Sequence, residues 1–503
     1  MKRWLFITIL SFVLLFASAT IMAQEMHLIV ASSADITSLD PHGENDQPSA
    51  RVRVQIYDTL VWSDEDMNLQ PGLAEKWEQV DETTYIFYLR KGVKFHNGEP
   101  LTAEDVKFTL DRLKDPATAA AGAFIVGAIS EVNVIDEHTV EIKTAQPFAP
   151  LIAHLSHSVT SILNKKAVTE AGDDYGTLVA VGTGPYIFES WVQGSHLTLV
   201  KNKDYWKGEP KADRITFRFI PENSVRAIEV ETGGVDIAYD LDPVDVKRLQ
   251  GNSKVKLSQY DSFSTTYIGM NATKPPFDNP LVRKAINHAV DKEAAIDVIY
   301  SGQAIANAGP IGPRVWGYNP NLKPYEYDPA LAKALLAEAG YPNGFKTTIW
   351  TNENALRIQV AELFQADLAQ VGIDVEIKVL PWATYLEETG KGNHDMFILG
   401  WSTVTGDADY GLYALFHTSQ FGSAGNRTFW GTEEIDKLLD LGRQTIDPEE
   451  RLAAYWEAQE KIVDGAPWVF LFSQSYVDGM RSNIEGFVQH PTGSHRLWTV
   501  EKK

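Results

Sequence analysis

Asp395-Met396-Phe397-Ile398-Leu399-Gly400-Trp401-Ser402-Thr403-Val404-Thr405-Gly406-Asp407-Ala408-Asp409 sets an unbroken apolar run against a glycine, a tryptophan and then a polar, turn-forming stretch. A short run without polar alternation suits a strand buried on both faces, the usual condition of a parallel strand in an α/β protein. Lys346 to Thr351 and Val375 to Val379 have the same apolar character. Helix starts stand around them. Asn279-Pro280 opens a helix through Val290, Asp328-Pro329 opens one that stops at Gly340, and Asp447-Pro448, with Glu450 three residues after the cap, opens a third. Each pairs an N-cap side chain with a proline at the first helical position, where the missing N–H is no loss. Strands alternating with helices predict an α/β lobe with a mainly parallel sheet over the second half of the chain.

The first half reads differently. His27 to Ser33 is a short buried strand running into a polar loop, and Thr84 to Leu89 alternates, with Tyr85, Phe87 and Leu89 on one face. After a turn at His96-Asn97-Gly98, Thr102 caps a helix with Asp105 at the capping-box position and Val106, Leu110 and Leu113 at helical spacing. Strand-like runs recur at Glu131 to Ile135, Thr139 to Ile142, Leu197 to Val200 and Ile215 to Phe219. No internal repeat or low-complexity linker divides the chain, so closely packed lobes joined by short hinges are expected.

The N-terminus carries an address. Lys2 and Arg3 precede an apolar stretch from Trp4 to Phe16, and small residues lead to a stop near Ala19 or Ala23. This is the layout of a secretory signal peptide, and the stretch is too short to span a bilayer. Cleavage after Ala23 leaves 480 of the 503 residues, too many for one core. An apolar fraction of 44%, with 13 Trp and 19 Tyr, supplies material for two or three. The formal charge of −22 disfavours nucleic acid or an anionic membrane as partner. Cysteine is absent, which excludes disulfides, thiol catalysis, thiolate metal sites and the acylated cysteine of a lipoprotein.

Motifs for chemistry are thin. His154 and His157 are spaced to share a helix face, but no third ligand stands near them, so no metal is expected. Ser253-Lys254-Val255-Lys256 fits a serine-x-x-lysine pattern without companions. Gly182-Thr183-Gly184-Pro185 lacks the third glycine and the helix of a dinucleotide site and reads as a tight turn. There is no zinc helix, phosphate loop or serine elbow. The residues alone describe an exported multidomain α/β protein without evident catalysis and with no cofactor.

A set of segments in fixed order carries a resemblance over nearly the whole mature chain. They are Leu39-Asp40-Pro41, Pro71-Gly72-Leu73-Ala74-Glu75-Lys76-Trp77, Leu89-Arg90-Lys91-Gly92-Val93-Lys94-Phe95-His96-Asn97-Gly98, Gly182-Thr183-Gly184-Pro185-Tyr186, Asn202-Lys203-Asp204-Tyr205-Trp206, Asn279-Pro280-Leu281-Val282-Arg283 and Ala337-Glu338-Ala339-Gly340-Tyr341-Pro342. Together they resemble the dipeptide- and oligopeptide-binding family (family 5) of extracytoplasmic receptors that serve ABC importers. Phe277-Asp278-Asn279-Pro280, Gly340-Tyr341-Pro342-Asn343-Gly344-Phe345 and the stretch Gly400 to Asp409 look similar to its glutathione-binding members.

The resemblance implies two hinged α/β lobes with central mixed sheets, plus an α+β domain inserted in lobe one. Mapped here, lobe one takes residues 25–66, 178–262 and 482–503, the extra domain 67–177 and lobe two 263–481. The ligand, a peptide or other small molecule, lies between lobes that close over it. The partners implied are the transmembrane permease subunits of an ABC importer. A monomer in the periplasm or extracytoplasmic space is expected, with no bond made or broken.

For the site, Trp401, Ser402 and Thr403 end the strand quoted above, where ligands of such sheets collect. In peptide-binding relatives the matching stretch hydrogen-bonds the ligand backbone. Those relatives carry an aspartate three residues after the tryptophan, to pair with the ligand ammonium, and here Val404 stands in that place. An ammonium anchor then comes from Asp407 or Asp409, or there is none. Arg357 lies near where relatives place an arginine for the ligand carboxylate, a task suited to a two-pronged donor. Ser32, Ser33 and Ala34 are lobe one's contribution by position. An oligosaccharide ligand is the alternative within the same fold. A nickel chelate held by His154, His157 or His417 is a distant third, and an exported hydrolase or peptide chaperone lies outside the class.

Overall fold

A computed structural model describes residues 25–503. The signal peptide expected over residues 1–23 lies outside the described residues. The backbone is organised around a 12-stranded mixed sheet in which one strand, Trp468–Arg481, joins two halves. On one side, Asp374–Leu380, Lys346–Asn352 and Met396–Ser402 are mutually parallel, and Ser264–Met270 runs antiparallel between them and the long strand. On the other, His27–Ser32 lies parallel between Ile237–Ala238 and Arg214–Phe219, and His196–Lys201 and Tyr186–Val192 extend the sheet antiparallel. The parallel trio in lobe two matches the expectation from its apolar runs. Ser264–Met270, antiparallel to the neighbour on either side, makes the sheet mixed.

The chain crosses between lobes twice, side by side. Val255–Asp261 and Ser264–Met270 follow one another along the long strand, separated by Ser262 and Phe263. Trp468 to Phe472 pair with the second, and Ser475 to Arg481 with the first. The change of partner therefore falls at 473–475, inside a strand. One continuous hydrogen-bonded ladder serves both sheets. Residues Trp468 to Ser473 are buried, while Gln474, Ser475 and Tyr476 are half-exposed where the ladder passes between the lobes.

The extra domain is a four-stranded antiparallel sheet in the order Ala74–Gln79, Thr84–Leu89, Thr139–Thr144, Ile129–Asp136. Helix Ala103–Lys114 covers it. This helix starts in the capping box read from Thr102 and Asp105, and buries Val106, Leu110 and Leu113. Its apolar core continues through Phe124 into lobe two at Tyr410, Phe416 and Trp468, so the insertion is packed against the lobe it is not threaded from. Lobe one has its own core around Leu28, Val30, Phe217 and Tyr186, and lobe two a second one around Ile268, Phe364 and Ile398.

The Gly182-Thr183-Gly184 stretch has a packing reason. A Cβ on either glycine would collide with the backbone of Ile56, the last residue of helix Gln47–Ile56. Gly184 N–H donates to the Ile56 carbonyl at 2.9 Å. Glycine is required here for close approach of two chains, not for an unusual φ.

Candidate functional site

Between the lobes lies a cavity of about 260 Å³. Gln474, Ser475 and Tyr476 of the crossing strand line it, with Ser33 and Ala34 from lobe one and Gly400, Trp401 and Ser402 from lobe two. Strand Met396–Ser402 pairs with Ser264–Met270 along its whole length, but with Lys346–Asn352 only at Met396 and Phe397. Its last residues therefore reach the cavity with one edge bare of any strand. The Trp401 indole N–H, the Ser402 hydroxyl and the Gln474 side-chain oxygen are buried without hydrogen-bond partners among the described residues. Trp401 itself is 9% exposed and packs against Tyr410, ring centroids 5.1 Å apart.

A strip of three successive residues bridges the lobes beside the cavity. Glu44, Asn45 and Asp46 precede helix Gln47–Ile56 in lobe one, and each meets a different side chain of lobe two. Glu44 pairs with Arg427 at 3.4 Å, Asn45 donates to the Tyr410 hydroxyl at 2.9 Å, and Asp46 accepts from the Trp382 indole at 3.2 Å. Asp46 is also the N-cap of the helix, accepting from Ser49 N–H. From the extra domain, His157 reaches the same Tyr410 hydroxyl at 3.0 Å. Burial lowers the His157 pKa to about 3, so its ring is neutral.

Arg357 lines the cavity from the first turn of helix Ala355–Gln370. Asn354 caps that helix by accepting from Arg357 N–H, which fixes the backbone. One guanidinium nitrogen donates to Asn352 Oδ1 at 2.9 Å, and the guanidinium carbon lies 5.8 Å from the Trp382 ring centre. Glycine at 400 leaves the room beside it, since a Cβ there would press on Arg357 Nη2. No carboxylate pairs with Arg357 among the described residues.

The other expected residues divide. Ser33, Ala34, Trp401 and Ser402 line the cavity; Ser32 and Thr403 are buried beside it without lining it. Asp407 and Asp409 turn away altogether. Asp407 caps helix Ala408–Phe416 and accepts two hydrogen bonds from Arg451, at 2.9 and 3.0 Å. Asp409 is fully buried, held by Arg443 through two contacts of 3.1 Å, by His154 Nε2 at 3.1 Å and by the Tyr455 hydroxyl. Burial alone would raise its pKa; Arg443 and His154 outweigh that and hold the carboxyl well below the usual carboxylate range. Neither aspartate lines the cavity. Val404 does line the cavity, at the place where relatives carry their acid.

Sequence reasoning missed Asp46, Trp62, Trp382, Arg427, Tyr476 and Arg496, all of which line the cavity. They come from scattered segments, and only the fold brings them together. Asp46, just before Gln47-Pro48, carried a usable signal as a helix cap.

The profile of the bacterial extracellular solute-binding proteins, family 5 middle region, matches residues 68–423. The chain belongs to this family. Among family 5 relatives, the glutathione-binding protein GsiB of Pectobacterium atrosepticum is 37% identical over 472 residues, covering 92% of this chain and 91% of that protein. GsiB of Escherichia coli K12 is 35% identical, covering 94% and 93%. Among solved structures, the periplasmic binding protein DppA of Helicobacter pylori in complex with the peptide STSA superposes with a TM-score of 0.90 at 34% identity, over 95% of this chain and 98% of that one. A dipeptide-binding protein of Pseudoalteromonas sp. SM9913 in complex with Met-Leu gives 0.90 at 27% identity, over 95% and 100%. The two-lobed family 5 fold with its inserted domain is thus the fold of this chain. Its family is one of solute-binding proteins, not of enzymes.

Proposed function

We propose that this protein is an extracytoplasmic receptor that captures a short peptide, glutathione foremost, between its closing lobes and delivers it to the permease subunits of an ABC importer. The observation that carries the reading is the pairing of a bare strand edge at Gly400–Ser402 with an arginine, Arg357, that lacks a carboxylate partner. A bare edge offers backbone donors and acceptors to an extended chain, as in strand addition, and a guanidinium beside it offers two parallel hydrogen bonds to a terminal carboxylate. The cavity volume, at the small end of ligand sites, suits two or three residues better than a long peptide. The names of the similar proteins, glutathione- and peptide-binding, support the same reading.

The receptor acts as a monomer in the periplasm or equivalent space, directed there by the N-terminal leader, and makes or breaks no bond. Three tryptophans, Trp62, Trp382 and Trp401, also line the cavity, as a sugar ligand would require. However, Trp401 packs on Tyr410, and Trp62 already has Lys207 4.0 Å and Arg496 5.3 Å from its ring centre. Mass spectrometry of the ligand released by denaturing protein from its native host tests the assignment. A thiol tripeptide or short peptides are expected; a ladder of hexose or pentose oligomers would replace the peptide with a sugar.

A further inference from the structure

Four arginines, Arg226, Arg357, Arg427 and Arg496, line the cavity against two aspartates, Asp46 and Asp240, although the whole chain carries −22. Most of these charges are committed to the fold. Arg226 gives its donors to the carbonyls of Ile220, Pro221, Tyr239 and Asp240 and to Asn223. Asp240 is bound through both oxygens by Arg51, Asp46 caps its helix, and Arg427 has Glu44. Arg427 keeps that bond although its Nε is buried without a partner among the described residues. Among those residues, the cavity-lining guanidinium groups with neither a carboxylate hydrogen bond nor a set of backbone acceptors are Arg357 and Arg496, one in each lobe.

Arg496 has a carboxylate near it but not bonded to it. The nearest oxygen of Asp58 is 3.5 Å from Nη1, and that nitrogen is buried without a hydrogen-bond partner. Asp58 is engaged elsewhere, accepting from the Thr183 hydroxyl at 3.0 Å, the Trp206 indole at 2.9 Å and the Tyr205 hydroxyl at 3.2 Å. Further cations crowd the same place. Lys207 sits over Trp62 and Trp206, and Arg90 over Trp206. A buried guanidinium donor without an acceptor is costly, and an anion is what satisfies it.

Resting on the peptide-receptor reading, we propose that Arg496, backed by Lys207, is a second anion-binding pole in lobe one. The preferred ligand then carries two anionic groups, one for Arg496 and one for Arg357, and bridges the lobes through them. Glutathione, with two carboxylates, meets this requirement; an ordinary neutral dipeptide, with one, uses Arg357 alone. Lys207 adds a signature. Burial, and then the charges of Arg496 and Arg90 against the opposing charge of Asp58, lower its pKa to about 7, and a further bound anion raises it again. Diacid binding at pH 7.5 therefore takes up protons.

The test is calorimetric titration of the mature wild type and of Arg496→Gln with reduced glutathione and with Met-Leu. Glutathione affinity is expected to fall about tenfold or more in the variant, with Met-Leu within about twofold. Equal losses for both ligands, or no loss for glutathione, overturn the pole. Titration of the wild type in buffers of different ionisation enthalpy needs no variant. Net proton uptake with glutathione, whose own amine and thiol stay protonated at this pH, is expected, and none counts against the pole. If neither peptide binds the wild type, the peptide reading falls by itself, and glutarate against butyrate then reads the pole. Glutarate should raise the melting midpoint of the wild type but not of Arg496→Gln; identical responses overturn it.

Discussion

The Asp46 carboxylate accepts the Trp382 indole N–H across the cleft at 3.2 Å while it caps its own helix through Ser49. One carboxylate thus ties the start of a lobe one helix to the closed position of lobe two. Trp382→Phe removes the cross-cleft bond and leaves the cap. Ligand release, followed by stopped-flow fluorescence, should quicken about fivefold for one lost hydrogen bond of roughly 1 kcal/mol. The unfolding midpoint should move little. Asp46→Ala loses both roles, and should show the faster release plus about 1 kcal/mol of lost stability.

Asp409 is a structural acid. Asp409→Asn leaves Arg443 buried without its counter-charge, and denaturant unfolding should show a loss of about 3–5 kcal/mol. A site role would instead leave stability near wild type and abolish binding.

Arg357→Gln should weaken any carboxylate-bearing ligand by about 10- to 100-fold, corresponding to roughly 1.5–3 kcal/mol for a charged hydrogen-bonded pair. The unfolding midpoint should stay near wild type, because the side chain gives the fold little beyond its bond to Asn352 and its approach to the Trp382 ring. Fluorescence titration beside a melting curve separates the two effects.

Five histidines are held neutral by burial: His42, His157 and His394 with pKa about 3, and His96 and His490 about 4. In the unfolded chain each titrates near 6.5, so between those values the unfolded state binds more protons. Stability should therefore be full above about pH 6.5 and fall steadily as the pH drops towards 4, by up to about 1.4 kcal/mol per pH unit for each histidine fully protonated only when unfolded. Melting midpoints from pH 8 to pH 4.5 check this; a flat profile would show that the rings stay accessible to protons in the fold.

Helix starts were legible because their information is local. Asn279-Pro280, Asp328-Pro329, Asp447-Pro448 and the Thr102 capping box each open a helix in the structure. The apolar runs Lys346–Thr351, Val375–Val379 and Met396–Trp401 are strands for the same reason. Strand Trp468–Arg481 escaped notice because its half-exposed middle breaks any simple period. At the site, Trp401 was legible from its place at a strand end and Arg357 from the family resemblance, and both line the cavity. Asp407 and Asp409 lie off the cavity, paired with arginines that arrive from 44 and 34 residues downstream. Arg496 was invisible because its importance lies in what Asp58, from the far end of the chain, does not give it.

The ladder formed by Trp468–Arg481 with its two successive partners gives the receptor an elastic connection rather than a slack one. A loop between lobes would let them drift apart at random. Paired strands can only bend and twist, and each added degree of opening meets growing resistance from bonds that stay made. Opening of the lobes would then work against this ladder, and Gln474 and Ser475, next to where the long strand changes partner, are among the residues that line the cavity.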